Sequence, residues 1–259
     1  MTANANANAS VPIVRIYGVP VSKMNMKDTV KYLTGAIESR IPHQIITANP
    51  IMIMSALEDP AYMEMMRRVE LIVPDGAGLV WAAGYVGQPV AERVPGIDLI
   101  HELMRAGEPR RWKVYLLGTT SDTIQAAAAK LARDYPLIDI VGFRDGYFGE
   151  AEDRQVVDSI RQLQPDILLV GRSSSTQEPW ISKYKRDLDV PVIMGVGGSF
   201  DVLAGKLKRA PKIFQKLKLE WFYRLLQEPS RFGRMLALPK FAWKVIRDKE
   251  NVLKTDENH

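Results

Sequence analysis

The chain has no cysteine among its 259 residues. That excludes thiolate zinc sites, iron–sulfur ligation and cysteine nucleophiles, and leaves no disulfide framework to infer. Histidine is nearly as scarce: His43, His101 and His259 are the only three. So few histidines do not suit a histidine-rich metal centre, and a Ser-His-Asp triad would have to use His43 or His101. No run approaches the roughly 18 uninterrupted apolar residues of a membrane-spanning helix. Met1 to Ser10 alternate Ala and Asn. They lack the basic and apolar regions of a signal peptide and read as a disordered leader.

What is present is an ordinary globular balance, 46% apolar and 25% charged, enough to bury a core without staples. Together these features point to a cytoplasmic protein of one or two domains. Charge is uneven, however. Residues 1–205 carry 21 basic and 24 acidic side chains, whereas residues 206–259 carry 14 and 6. The same final segment holds Phe214, Trp221, Phe222, Tyr223, Phe232, Phe241 and Trp243. Such a segment points to an anionic partner, either a membrane surface or nucleic acid. A solvated helical pair packed on the main domain is the plainer alternative.

Through residues 11–205, β-rich runs alternate with helical patterns. Strands are expected at His43–Thr47, Leu71–Val73, Lys113–Leu117, Ile138–Val141, Ile167–Val170 and Val192–Met194. Helices are expected over Ile51–Met66 with a break near Pro60, Ala77–Tyr85, Thr123–Arg133 capped by Ser121, Glu152–Leu163 and Glu178–Arg186. Ile167-Leu168-Leu169-Val170 is apolar on both faces, as a strand covered by helices on both sides must be. The alternation predicts an α/β domain with a Rossmann-like, mostly parallel sheet flanked by helices. Beyond residue 205 no strand signal remains. Pro211–Gln227 and Ser230–Arg247 read as two helices of a basic amphipathic C-terminal appendage spanning 206–259.

In open α/β sheets ligands bind beyond the carboxyl ends of the strands. The polar residues expected there are Thr47, Asn49, Asp75, Arg93, Tyr147, Gln177, Glu178, Gly195, Gly197, Gly198 and Asp201. Each has a plainer role. Asp75 in Pro-Asp-Gly is ordinary turn chemistry when taken alone, and Thr47 and Asn49 serve equally well as helix caps. Gly195, Gly197 and Gly198 resemble part of a phosphate cradle at a helix N-terminus. The full G-x-G-x-x-G pattern and its acidic ribose partner are missing, so a Rossmann oxidoreductase is weakly supported. Asp187-Leu188-Asp189 matches a metal-binding Asp-x-Asp, but it precedes a strand and reads as a surface turn. A nucleic-acid-binding role for the tail finds no helix-turn-helix or RNA-recognition signature.

Seven motifs taken together are more specific: Thr47-Ala48-Asn49-Pro50, Pro74-Asp75-Gly76, Glu92-Arg93-Val94-Pro95-Gly96-Ile97-Asp98, Asp145-Gly146-Tyr147-Phe148, Gln177-Glu178, Gly195-Val196-Gly197-Gly198-Ser199-Phe200-Asp201 and the segment Glu220 to Arg231. In this order, over Ile13 to Arg247, the sequence resembles the WecG/TagA/CpsF family of glycosyltransferases (glycosyltransferase family 26). The family usually has Pro-Lys before its Gln-Glu; here Ser175-Thr176 stand there, which removes a stiff residue and a positive charge.

The resemblance implies transfer of a sugar, N-acetylmannosamine or a related hexose, from a UDP-sugar to a polyprenyl-pyrophosphate-linked sugar, with inversion. It places such an enzyme at the inner face of the cell membrane, in teichoic acid or exopolysaccharide synthesis. It implies Asp75 as the catalytic base and Arg224, Arg231 and Arg234 as arginines folding over the site. Thr47, Asn49, Arg93, Tyr147, Gln177, Gly195, Gly197, Gly198 and Asp201 would then contact substrate. No metal cluster is recognisable, so transfer without metal or other cofactor is expected. The basic tail is expected on the membrane, not on nucleic acid, and a homo-oligomer is compatible with the pattern.

Overall fold

The computed structural model describes residues 11–254; the expected leader, Met1 to Ser10, and His259 lie outside them. The described chain opens with an antiparallel hairpin of β1 (Ile13–Ile16) and β2 (Val19–Ser22). Its turn residues Tyr17 and Gly18 both have positive φ (50° and 81°), as in the mirror-image turns that match the twist of paired strands. Helix α1 (Met26–Ser39) follows, its first turn closed by the Asn25 side chain accepting from the Asp28 N–H.

The main sheet contains β3 (His43–Ala48), β4 (Leu71–Pro74), β5 (Lys113–Gly118), β6 (Asp139–Arg144), β7 (Ile167–Gly171) and β8 (Val192–Gly195). Its order is β4-β3-β8-β7-β5-β6, and every neighbouring pair is parallel. All six expected strands are present. Between them run α2 (Pro50–Glu58), α3 (Pro60–Arg68), α4 (Ala77–Tyr85), α5 (Gly96–Gly107), α6 (Ser121–Asp134), α7 (Glu150–Leu163) and α8 (Ser174–Leu188), and α9 (Ser199–Leu203) follows β8.

Adjacent strand residues alternate between two buried faces, as the pleat requires. Ile45, Val73, Leu116 and Leu169 join one apolar cluster, shared with α1, α5 and α6. Ile46 and Ile72 face the opposite way, toward the hairpin and α2, α3 and α4. Leu117 and Val170 share that opposite face with α7 and α8. A sheet sandwiched in this manner needs apolar residues at consecutive positions, which is why its strands read as continuous apolar runs.

Local differences from the sequence expectations have identifiable causes. The hairpin, α1 and α5 carry patterns too short or too mixed to stand out. Thr120, not Ser121, is the boundary residue of α6, and Ser121 is its first helical residue. Helix α8 begins four residues before Glu178, because the Ser173 carbonyl accepts from the Thr176 and Gln177 N–H groups at 2.9 and 2.8 Å.

The C-terminal segment forms four α-helices where two were expected: α10 (Lys212–Lys216), α11 (Glu220–Gln227), α12 (Phe232–Met235) and α13 (Ala237–Asp248). Lys218, at φ 60°, breaks the first expected helix. In the second, Pro239 supplies no N–H to the preceding turn. The final helix is part of the core: Phe241 and Val245 are buried in one cluster with Ile46, Ile53 and Val252. The Tyr17 N–H also donates to the Val252 carbonyl at 2.8 Å.

Phe241 is 1% exposed, so Phe241→Ala is expected to destabilise the protein by about 3–5 kcal/mol. Chemical denaturation followed by circular dichroism measures this, and a loss under about 1 kcal/mol would contradict the packing described.

Candidate active site

Because all six strands run parallel, their C-terminal ends lie along one edge of the sheet. A cavity of about 530 Å³ opens there, within the range of small-molecule sites. Each strand contributes to it: Thr47 lies near the end of β3 and Asn49 follows it, Asp75 follows β4, Thr119 follows β5, Tyr147 follows β6, Arg172 follows β7 and Gly197 follows β8. Gln177, Gly198, Asp201, Arg224, Arg231 and Arg234 also line it. The structure thus gathers most of the expected site residues on one cavity. Arg93 and Gly195 are not among its lining residues. His43 sits at the opposite end of β3, bonded to the Ile41 carbonyl, and His101 is bonded to the Tyr135 hydroxyl. Asp187 pairs with Arg154 at 2.8 Å before β8 begins, so neither histidine nor the Asp-x-Asp reaches the cavity.

Asp75 is held by its backbone. Its N–H and that of Gly76 both donate to the Ala48 carbonyl, at 2.9 and 3.1 Å. Desolvation by the surrounding protein pushes its carboxyl above the ordinary carboxylate range; Arg93 opposes the rise and Glu220 adds to it. The Asp75 side chain nevertheless keeps 31% of its surface exposed. Arg93 lies behind it: Nε donates to the Asp75 carbonyl, and Nη2 is 3.4 Å from Asp75 Oδ1.

Asn49 is both cap and cavity wall. Its Oδ1 accepts from the Ile51 and Met52 N–H groups at 3.0 and 3.3 Å. The Thr47 hydroxyl donates to the Gly195 carbonyl at 3.4 Å, joining β3 to β8. Tyr147 is 78% exposed and stands at the mouth.

Gln177 has both ends of its amide engaged. Its Oε1 accepts from the Arg172 and Gly197 N–H groups at 3.1 and 3.2 Å, and its Nε2 donates to Glu178 Oε1 at 2.8 Å. It therefore fixes the two loops that floor the cavity. Beneath it Glu178, 1% exposed, also accepts from Gln44 Nε2 at 3.0 Å. Gly195 is the space for this pair: a Cβ there would overlap Glu178 Oε1 and Gln177 Nε2.

The far wall comes from the C-terminal segment. Arg224 packs against the backbone of Gly198, where any Cβ would overlap its Nη2. The Glu228 carboxylate is 2.8 Å from Arg231 Nε and 3.5 Å from Arg224 Nε. Arg224 Nη2 is buried with no hydrogen-bond partner among the described residues. Burial and the neighbouring Arg231 lower the Arg224 pKa, so this cation gains from any anion brought beside it. Arginines 172, 224, 231 and 234 outnumber the two lining aspartates, Asp75 and Asp201. Among the described residues, no three His, Asp or Glu side chains are grouped so as to hold a metal ion.

The sequence reading missed Arg172, although its position directly after β7 marks it, and it stacks on the Phe148 ring at 4.7 Å. It also missed Glu220 as the partner of Arg93, because a pairing across 127 residues leaves no local signal, and Glu228, although its partners Arg224 and Arg231 lie within one helical turn of it in sequence.

An arginine-rich cavity at the C-terminal ends of six parallel strands, with two carboxylates on its wall, has the architecture of an α/β enzyme. The chain belongs to the Glycosyl transferase WecG/TagA/CpsF family, whose model matches residues 14–254, and it is a glycosyltransferase. It is similar to two proteins of Staphylococcus aureus, from strains MW2 and NCTC 8325 / PS 47. Both are N-acetylglucosaminyldiphosphoundecaprenol N-acetyl-beta-D-mannosaminyltransferases. Each is 36% identical over 256 residues, covering 98% of this chain and 99% of the relative.

Burial pushes Glu178 up to about 7, so its neutral form is the one the fold favours. The stabilising effect is complete below the unfolded-state pKa near 4.5 and is lost as pH rises through about 7, a change on the order of 3 kcal/mol. Thermal unfolding temperatures are expected to fall from pH 5 to pH 8, and this component of the fall should vanish in Glu178→Gln. An equal fall in the variant would refute the assignment.

Proposed function

We propose that the enzyme moves N-acetylmannosamine or a related hexose from a UDP-sugar to a polyprenyl-pyrophosphate-linked sugar, inverting the anomeric carbon. The observation that carries this reading is the placement of Asp75 and the underpartnered Arg224–Arg231 pair on one cavity. The activity named for the Staphylococcus aureus relatives supports a lipid-linked acceptor; in this reading the reaction serves cell-surface polysaccharide or teichoic acid synthesis.

In this mechanism Asp75 takes the proton from the acceptor hydroxyl, whose oxygen attacks the anomeric carbon. The bond from that carbon to the UDP oxygen breaks on the opposite face. A carboxylate with a raised pKa is suited to the first step. The departing diphosphate gains negative charge, and planar guanidinium groups receive it with paired, charge-assisted hydrogen bonds. Arg224 and Arg231 serve this purpose, with Arg234 beside them and no metal required. Tyr147 and Asp201 contact the sugar or nucleotide, and Asn49 shapes the wall.

Residues 11–205 act as the catalytic domain in this reading. Residues 206–259 complete the site and rest on the inner face of the cell membrane. No described helix is long and apolar enough to cross a membrane. Exposed Ile213, Leu217, Leu226, Phe232 and Trp243, interspersed with lysines and arginines, suit interfacial binding. A nucleic-acid role for the tail is disfavoured, since Arg224, Arg231 and Arg234 line the cavity.

Screening UDP-sugars for UDP release with a short-chain lipid-linked acceptor tests the activity directly. One donor is expected to turn over, equally well in EDTA, and Asp75→Asn should lower kcat by about a thousandfold or more while the protein stays folded. Near-normal turnover in Asp75→Asn, or strict dependence on added magnesium, would overturn the mechanism. For the membrane surface, deleting the segment would strip Phe241 and Val245 from the core. Replacing Ile213, Leu217 and Leu226 with Ser is the sounder test. It should lower binding to anionic liposomes about tenfold or more, and unchanged binding would refute the surface.

A further inference from the structure

Arg93 is shared between two carboxylates, and the sharing is unequal. Glu220, the first residue of α11, takes a two-pronged bond: Arg93 Nη1 to Oε1 at 2.8 Å and Nη2 to Oε2 at 3.1 Å. Asp75 receives only the long Nη2 contact of 3.4 Å at its carboxylate, together with the Nε bond to its backbone carbonyl. The arginine beside the candidate base is therefore committed elsewhere.

The consequence follows from elementary electrostatics. A guanidinium paired tightly with Asp75 would stabilise its ionised form and make it a poor proton acceptor. A second carboxylate that claims the guanidinium weakens that pairing and adds its own repulsion, and both effects favour proton uptake. We propose that Glu220 is a positioning residue for Asp75, drawing Arg93 off the carboxylate so that it is free to act as base. The proposal rests on the reading of Asp75 as that base.

The placement of Glu220 gives the arrangement a second effect. Arg224 lies one turn further along the same helix and packs on Gly198. Helix α11 thus carries both the carboxylate that holds Arg93 and the cation offered to the leaving group. The charged groups acting on Asp75 are Arg93, from the loop between α4 and α5, and Glu220 and Arg224 from α11; the Gly96 N–H at the start of α5 also donates to it.

The test uses the full chain with Glu220→Gln, which keeps the shape and removes the charge, and Glu220→Asp, which keeps the charge. Carbon-13 NMR of the carboxyl groups, with Asp75 assigned through Asp75→Asn, follows its titration without any substrate. The midpoint is expected to fall in Glu220→Gln and to lie between that and the unmodified protein in Glu220→Asp. In the transfer assay kcat should drop about tenfold in Glu220→Gln, with KM for the UDP-sugar changing less than about threefold and the acidic limb of the kcat profile moving to lower pH. An unmoved midpoint, or a raised KM with kcat and the acidic limb unchanged, would overturn the proposal and leave Glu220 a mere fastener of the tail. If the unmodified protein transfers no sugar from any donor, the functional reading fails, and the NMR titration still decides whether Glu220 governs Asp75.

Discussion

Six strands pointing the same way impose one constraint from which the rest of the molecule follows. The polar loop after each strand must emerge on a common edge, so residues far apart in sequence, from Thr47 to Asp201, are carried to one cavity. Helices on both faces cover the sheet and leave its carboxyl edge as the place where backbone and side-chain polar groups meet solvent. The hairpin β1–β2 and the final helix α13 close the apolar cluster beneath β3 and β4. They thereby hold the strand end that carries Asp75.

The cavity's electrostatics are unbalanced by design of the chain's last fifth. Arg224, Arg231 and Arg234 reach the opening from beyond the sheet, and Glu228 is shared between two of them. Burying guanidinium groups with too few acceptors costs free energy in the unliganded protein. In the proposed reaction that cost is offset when the diphosphate supplies the missing acceptors. Stabilisation prepared in this way acts on charge as it develops and needs no reorganisation during the reaction.

The C-terminal segment meets three demands along its length. Its middle presents arginines to the cavity, its end buries Phe241, Val245 and Val252, and its outer surface shows large apolar side chains beside basic ones. The three demands fall on different faces, which explains why the segment breaks into short helices. A continuous helix would present one stripe, whereas the turns at Lys218 and before Pro239 redirect the faces.

The six strands, most of the helices that follow them and the edge that carries the candidate cavity were legible in local patterns, because apolar runs and turn residues act over a few positions. Asp75, Thr47, Asn49 and the glycine-rich turn stood out for the same reason: each lies at or just beyond the end of a strand. Only the tertiary structure decided that Gly195 makes room for the buried Glu178, that Gln177 secures the cavity floor, and that Arg93 is divided between Asp75 and Glu220. These depend on charges and close contacts between segments up to 134 residues apart. A single chain's periodicity encodes which face is apolar; it does not encode which distant partner comes to lie against it.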